Sequence, residues 1–181
     1  MASFRLLLVL GLGLIFWLWD LVDGPPPSFP TSGYEVTDSY REWRGDALEV
    51  RQGRSTAAAE EPLAVLMEVG VTEGVVTLKA GRGGTVSAYT STARRWRSIR
   101  TAEVPALTEA FRLEAVRSAN WMRSTTEYPL PESGQVRFYI VRADGVRTTQ
   151  VAMDALEGGG NALSRLYRAG ADLALAIHEA D

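Results

Sequence analysis

Apolar residues fall along this chain in blocks of changing rhythm, and the rhythm predicts the elements. Leu63 to Val69 is a short buried run closed by Gly70, Val75 to Ala80 is a second bounded by Gly74 and Gly81, and Thr85 to Thr90 makes a third. Arg82-Gly83-Gly84 is turn chemistry, so the three runs read as an antiparallel meander. The period then lengthens. Thr101-Ala102-Glu103-Val104-Pro105 has the form of a helix start with proline in the first turn, and Leu107, Ala110, Phe111, Val116 and Trp121 supply an apolar stripe, with Glu109, Arg112 and Arg117 mostly off it. Tyr128-Pro129-Leu130-Pro131-Glu132-Ser133-Gly134 breaks that helix. Val136, Phe138 and Ile140 alternate with polar neighbours up to Asp144-Gly145, a strong hairpin signal, and Val146 to Ala152 returns. Glu157-Gly158-Gly159-Gly160 is a loop, and Ala162 to Ile177 predicts a final helix with Leu163, Leu166, Tyr167, Leu173 and Ile177 as core. The order β-β-β-α-β-β-α predicts an α+β fold in two layers, an antiparallel sheet of about five strands with two helices on one face.

The N-terminus follows neither period. Leu6 to Trp19 is uninterrupted apolar chain, about 21 Å of helix, and extending it from Phe4 to Val22 gives about 28 Å against a hydrocarbon core of roughly 30 Å. Arg5 and Asp20 lie near the ends, where charged tips reach headgroups, and Trp17 and Trp19 suit the interface. This predicts an uncleaved transmembrane anchor over residues 1–23. A cleaved signal peptide shares the basic start, but no small-x-small site follows in Asp20-Leu21-Val22-Asp23-Gly24-Pro25, and a buried helix is the third reading. Arg5 precedes the segment, whereas the next basic residue is Arg41, so the positive-inside rule puts the N-terminus in the cytoplasm. The expectation is a single-pass protein of the cell inner membrane with a periplasmic domain, if the source is Gram-negative.

Residues 24–61 form the next unit. Gly24-Pro25-Pro26-Pro27-Ser28-Phe29-Pro30 is a stiff extended spacer, since proline fixes φ and removes donors. Residues 34 to 61 carry Tyr34, Val36, Tyr40, Trp43, Leu48 and Val50 among many charges. They read equally as a strand or short helix packed on the domain or as a charged linker. The folded unit is then residues 62–181.

Composition narrows the chemistry. A net charge of −3 provides no global attraction for nucleic acid, and the absence of cysteine excludes disulfides, thiol catalysis and thiolate metal sites. His178 is the single histidine, close to the chain end, with no Gly-x-Ser-x-Gly elbow to pair with it. Zinc sites of the usual kind cannot be built, no calcium loop is present, and Gly81-Arg82-Gly83-Gly84 lacks the Lys-Ser/Thr of a phosphate loop. No catalytic residue, cofactor or metal is predicted. Glu68, Glu73, Glu127 and Asp154 are the carboxylates from which an acid/base pair would be drawn. One cluster stands out: Arg94, Arg95, Arg97 and Arg100 around Trp96 form a patch for phosphate or carboxylate groups, with the indole as a stacking face. Its bland alternative is a solvated loop paired with Glu103 or Glu109.

Several segments together resemble an uncharacterised family of small bacterial α+β proteins. They are Val65-Leu66-Met67-Glu68-Val69-Gly70, Gly74-Val75-Val76-Thr77-Leu78, Thr126-Glu127-Tyr128-Pro129-Leu130-Pro131, Val136-Arg137-Phe138-Tyr139 with Asp144-Gly145-Val146, and Leu163-Ser164-Arg165-Leu166-Tyr167-Arg168-Ala169-Gly170. The resemblance spans about residues 62 to 178 and implies one compact domain without assigning an activity. Here a glycine-rich segment after the third strand is replaced by Thr90 to Arg97. The functional expectation is a membrane-tethered binding or assembly domain, whose partners are the lipid bilayer and a protein or anionic headgroups, with no nucleic acid. The alternative is a small tethered hydrolase using paired carboxylates.

Overall fold

The structure is a computed structural model that describes residues 34–49, 61–92, 95–97 and 103–178, the 95–97 strand through its backbone. α1 (Asp38–Leu48) comes first; Thr37 caps it by accepting the Tyr40 amide, and Asp38 sits in the first turn, where a carboxylate suits the helix dipole. β1 (Ala64–Val71) and β2 (Gly74–Gly81) form a hairpin. A single 3-10 turn, Arg82–Gly84, leads into β3 (Val86–Thr90). Gly83 and Gly84 take φ of 73° and 77° there, the left-handed region that disfavours side chains. β4 (Arg95–Arg97), α2 (Val104–Ser118) and β5 (Arg123–Thr125) follow. β6 (Gln135–Arg142) and β7 (Gly145–Ala152) form the second long hairpin, and α3 (Met153–Glu157) and α4 (Ser164–His178) complete the described chain.

All strand pairs are antiparallel, in the order β4-β3-β2-β1-β6-β7-β5. β1 lies at the centre, paired along its length with both β2 and β6. On one face Val65, Met67, Leu78, Phe138 and Ile140 meet Phe111 and Ala115 of α2 and Leu166, Leu173 and Ile177 of α4. On the other, Leu66, Tyr139, Val141 and Val146 meet Ala47 and Leu48 of α1.

The α+β class and the antiparallel sheet agree with the expectation, and every long predicted strand is present. Two details differ. Among the described residues the sheet has seven strands, because the three-residue β4 and β5 extend it on both sides, each too short to carry an alternating pattern. The two predicted helices do share a face, but α1 covers the other, so three layers replace two. Leu63 to Val69 carried this information, since a run that does not alternate belongs to a strand buried on both sides.

The phase of α2 also differs. Val116 and Trp121, expected in the apolar stripe, are 39% and 66% exposed, whereas Arg112, expected outside it, is buried. The buried face runs through Val104, Thr108, Phe111, Ala115 and Ser118. Small side chains there let α2 pack closely on α4. At Gly170 of α4 a Cβ would lie 2.7 Å from the Met67 sulfur and 3.0 Å from the Phe111 ring, so added bulk on that seam must displace both side chains.

Candidate functional site

Glu68 sits in the middle of the most apolar strand and is fully buried on the α1 side of the sheet. A carboxylate there needs a partner to offset its lost hydration. Arg44 of α1 supplies it as a two-pronged pair, Nε to Oε1 at 2.6 Å and a terminal nitrogen to Oε2 at 2.9 Å. The same guanidinium donates to the Tyr128 carbonyl at 2.8 Å and the Pro129 carbonyl at 3.3 Å. It also lies 5.5 Å from the centre of the Tyr139 ring, whose hydroxyl donates to the Pro129 carbonyl at 2.7 Å. One arginine thus ties α1, the central strand and the Tyr128–Leu130 loop together.

Burial sets the electrostatics. It pushes the Glu68 carboxyl above its ordinary value, and the Arg44 hydrogen bonds and charge pull the other way. Burial acts to lower Arg44, but its bonds to Glu68 more than offset this and hold it above the ordinary arginine value. The fork geometry is that of an ionised pair. Tyr139 is pushed up to about 12, first by burial and then by the Glu68 charge. Tyr40 rises for the same two reasons, while its hydroxyl is held 2.7 Å from that of Thr77.

In front of this pair lies a groove of about 610 Å³ between α1 and the loop, walled by Val36, Tyr40, Leu48, Tyr128 and Leu130. Arg41, Gly45 and Glu49 also line it and share one row of the helix at four-residue spacing. A Cβ on Gly45 would meet nothing within 4 Å, and its backbone is not in the left-handed region. The fold therefore has no need of glycine at this position.

The sequence-predicted residues fall elsewhere. Arg94 and Arg100 lie outside the described residues, as does the Phe4 to Val22 segment. Arg95, Trp96 and Arg97 form β4, paired with Tyr89, Ala88 and Ser87 at one side of the sheet. Among the described residues no helix is long and apolar enough to cross a membrane, and no group of three or more acidic or histidine side chains is placed to hold a metal. The four carboxylates do not converge. Glu73 is in the β1–β2 turn, Glu127 follows β5, Asp154 accepts the Ala155 amide at the start of α3, and Glu68 is enclosed by Arg44. His178 is the exposed last residue of α4. Arg44 and Gly45 were missed, although a lone glutamate inside an apolar run signals a required cation. No family model, curated protein or solved structure matches the chain.

Proposed function

We propose that this chain is a membrane-tethered binding domain, and that the groove between α1 and the Tyr128–Leu130 loop receives an apolar peptide segment of a partner protein. Gly45 carries the reading. Glycine within a helix costs roughly 0.5–1 kcal/mol relative to alanine. Nothing in the fold demands it here, and its effect is to leave the groove wall open. Stability forgone at a solvent-facing position is a mark of function. Five of the groove's side chains, Val36, Tyr40, Leu48, Tyr128 and Leu130, are apolar or aromatic, Glu49 at its rim has no second carboxylate among the lining residues, and Glu68 behind the wall has both oxygens held by Arg44, which favours binding over paired-carboxylate chemistry. The family resemblance and the anchor belong to the same proposal.

The test places a photo-crosslinking side chain at Leu130 in the full-length protein, in its native membrane, with Leu175 on the outer face of α4 as the control position. Leu130 should yield a discrete adduct that Leu175 does not. Gly45→Trp should abolish that adduct, while Gly45→Ala should fold with a higher melting temperature. An adduct of equal yield in Gly45→Trp would remove the groove from consideration.

A further inference from the structure

Arg142 ends β6 on the face that carries Val136, Phe138 and Ile140, and it is 8% exposed. Among the described residues no acceptor meets its guanidinium, and its Nε is buried without a hydrogen bond. Such a group normally has a counter-charge, because an unpaired buried cation loses hydration without return. The preceding residue, Val141, accepts the Leu63 amide at 2.8 Å, which sets Arg142 beside the entry to β1. A second buried arginine bonds to the chain one residue before that entry. Arg112 of α2 donates to the Pro62 carbonyl at 2.8 Å and to Glu61 at 3.3 Å, and its own Nε is also buried and unsatisfied.

Among the described residues the surrounding charges offset Arg112 only in part, and none forms an ion pair with Arg142. Glu61 is half-exposed and is shared with Arg82 at 3.2 Å through its second oxygen. Glu109 is largely exposed and stands 3.7 Å from Arg112, beyond hydrogen-bond range. Arg147 approaches from β7 and donates to the Ala119 carbonyl, adding a further cation on the same side of the sheet. Forked guanidinium groups with spare donors match the oxygens of a phosphate.

We propose that Arg142 and Arg112 form an oxyanion site where the start of β1 meets the end of β6, and that it takes a phosphate-bearing ligand. The site is separate from the groove, and its failure would leave the peptide-binding reading intact. The two sources of such a group are a free phosphate compound and a phospholipid headgroup.

The experiment follows thermal unfolding of the full chain in uncharged detergent with inorganic phosphate and with glycerol phosphate, using chloride at matched ionic strength as reference. A parallel series reconstitutes the chain in phosphatidylglycerol or phosphatidylcholine vesicles. The wild type should gain several degrees on saturation with phosphate or glycerol phosphate, or in the anionic vesicles alone if the ligand is a headgroup, since a ligand that binds only the native state raises its stability. Arg142→Met should melt no lower than the wild type without ligand and should lose the gain. Arg142→Lys keeps the charge without the fork and should need about tenfold more ligand; it also serves if the methionine variant does not fold. An equal gain in wild type and variants would show that phosphate acts only by exclusion from the surface and would overturn the site. No gain in any of the phosphate or vesicle arms would overturn it as well.

Discussion

Arg44 has more to lose than any other exchangeable side chain on the α1 face of the sheet. Its removal leaves the Glu68 carboxylate enclosed without its hydrogen-bonded partner, with only the more distant charge of Arg137 across the β1–β6 pair to offset it, and frees the Tyr128 and Pro129 carbonyls together. Breaking one side of a buried pair costs about 3–5 kcal/mol, while replacing both partners with apolar groups is often close to neutral. Arg44→Met should therefore lower the urea-unfolding free energy by about 3 kcal/mol, and Arg44→Met with Glu68→Leu should recover most of it. A double variant as unstable as the sum of the singles would mean that the pair is not coupled. Close approach matters a few residues further along the same strand. A Cβ on Gly70 would lie 2.0 Å from the Glu132 carbonyl oxygen, so the loop that carries Tyr128 and Leu130 can cross β1 only over a glycine.

At the scale of elements, legibility followed the strength of the local period. The five long strands and the final helix were legible because each presents its own apolar pattern, and Leu163, Leu166, Tyr167, Leu173 and Ile177 are all buried as expected. α2 was legible as a helix but not in its rotation, because beside Val104 and Phe111 its buried face holds Thr108, Ala115, Ser118 and the stem of Arg112, which an apolar stripe does not mark. The groove was not legible at all. It joins α1 to a loop some eighty residues away, as in the 84-residue separation between Arg44 and Tyr128, and no spacing rule reaches that far. α1 itself was one of two readings for residues 34–61, and its packing on Leu66, Tyr139, Val141 and Val146 gives it a structural duty. A chain limited to residues 62–181 would expose that apolar surface and leave Glu68 without Arg44. It should unfold at a much lower temperature than a chain beginning at Tyr34, by calorimetry. Equal melting of the two would show that α1 is an accessory to the fold.

On the scale of the whole molecule, the proposal joins an anchor to a domain through a spacer rich in proline. The apolar reach from Phe4 to Val22 approaches the thickness of a bilayer core, so the protein should stay with the membrane pellet after alkaline carbonate washing. Recovery in the supernatant, or a mature N-terminus beyond Asp20, would replace the anchor with a soluble or cleaved form. The domain would then bind its partner without the orientation that a tether imposes. The arginine-rich stretch from Arg94 to Arg100 stays in the proposal as a surface for anionic headgroups or a partner, since β4 sits at one side of the sheet. The oxyanion site lies elsewhere, where the start of β1 meets the end of β6.

The outermost strands have a consequence for crowding. Molecules held on a membrane diffuse in two dimensions and meet one another far more often than the same number free in solution. A long, flat outer strand would then offer unpaired amides and carbonyls to each neighbour, and copies would zip together into ribbons. Here β4 and β5 are three residues each, with Arg95, Arg97 and Arg123 among them. Among the described residues so brief a ladder, with arginines in both outer strands, disfavours lateral fusion of sheets, and a domain tethered as proposed would then tolerate dense display with each copy's groove left free.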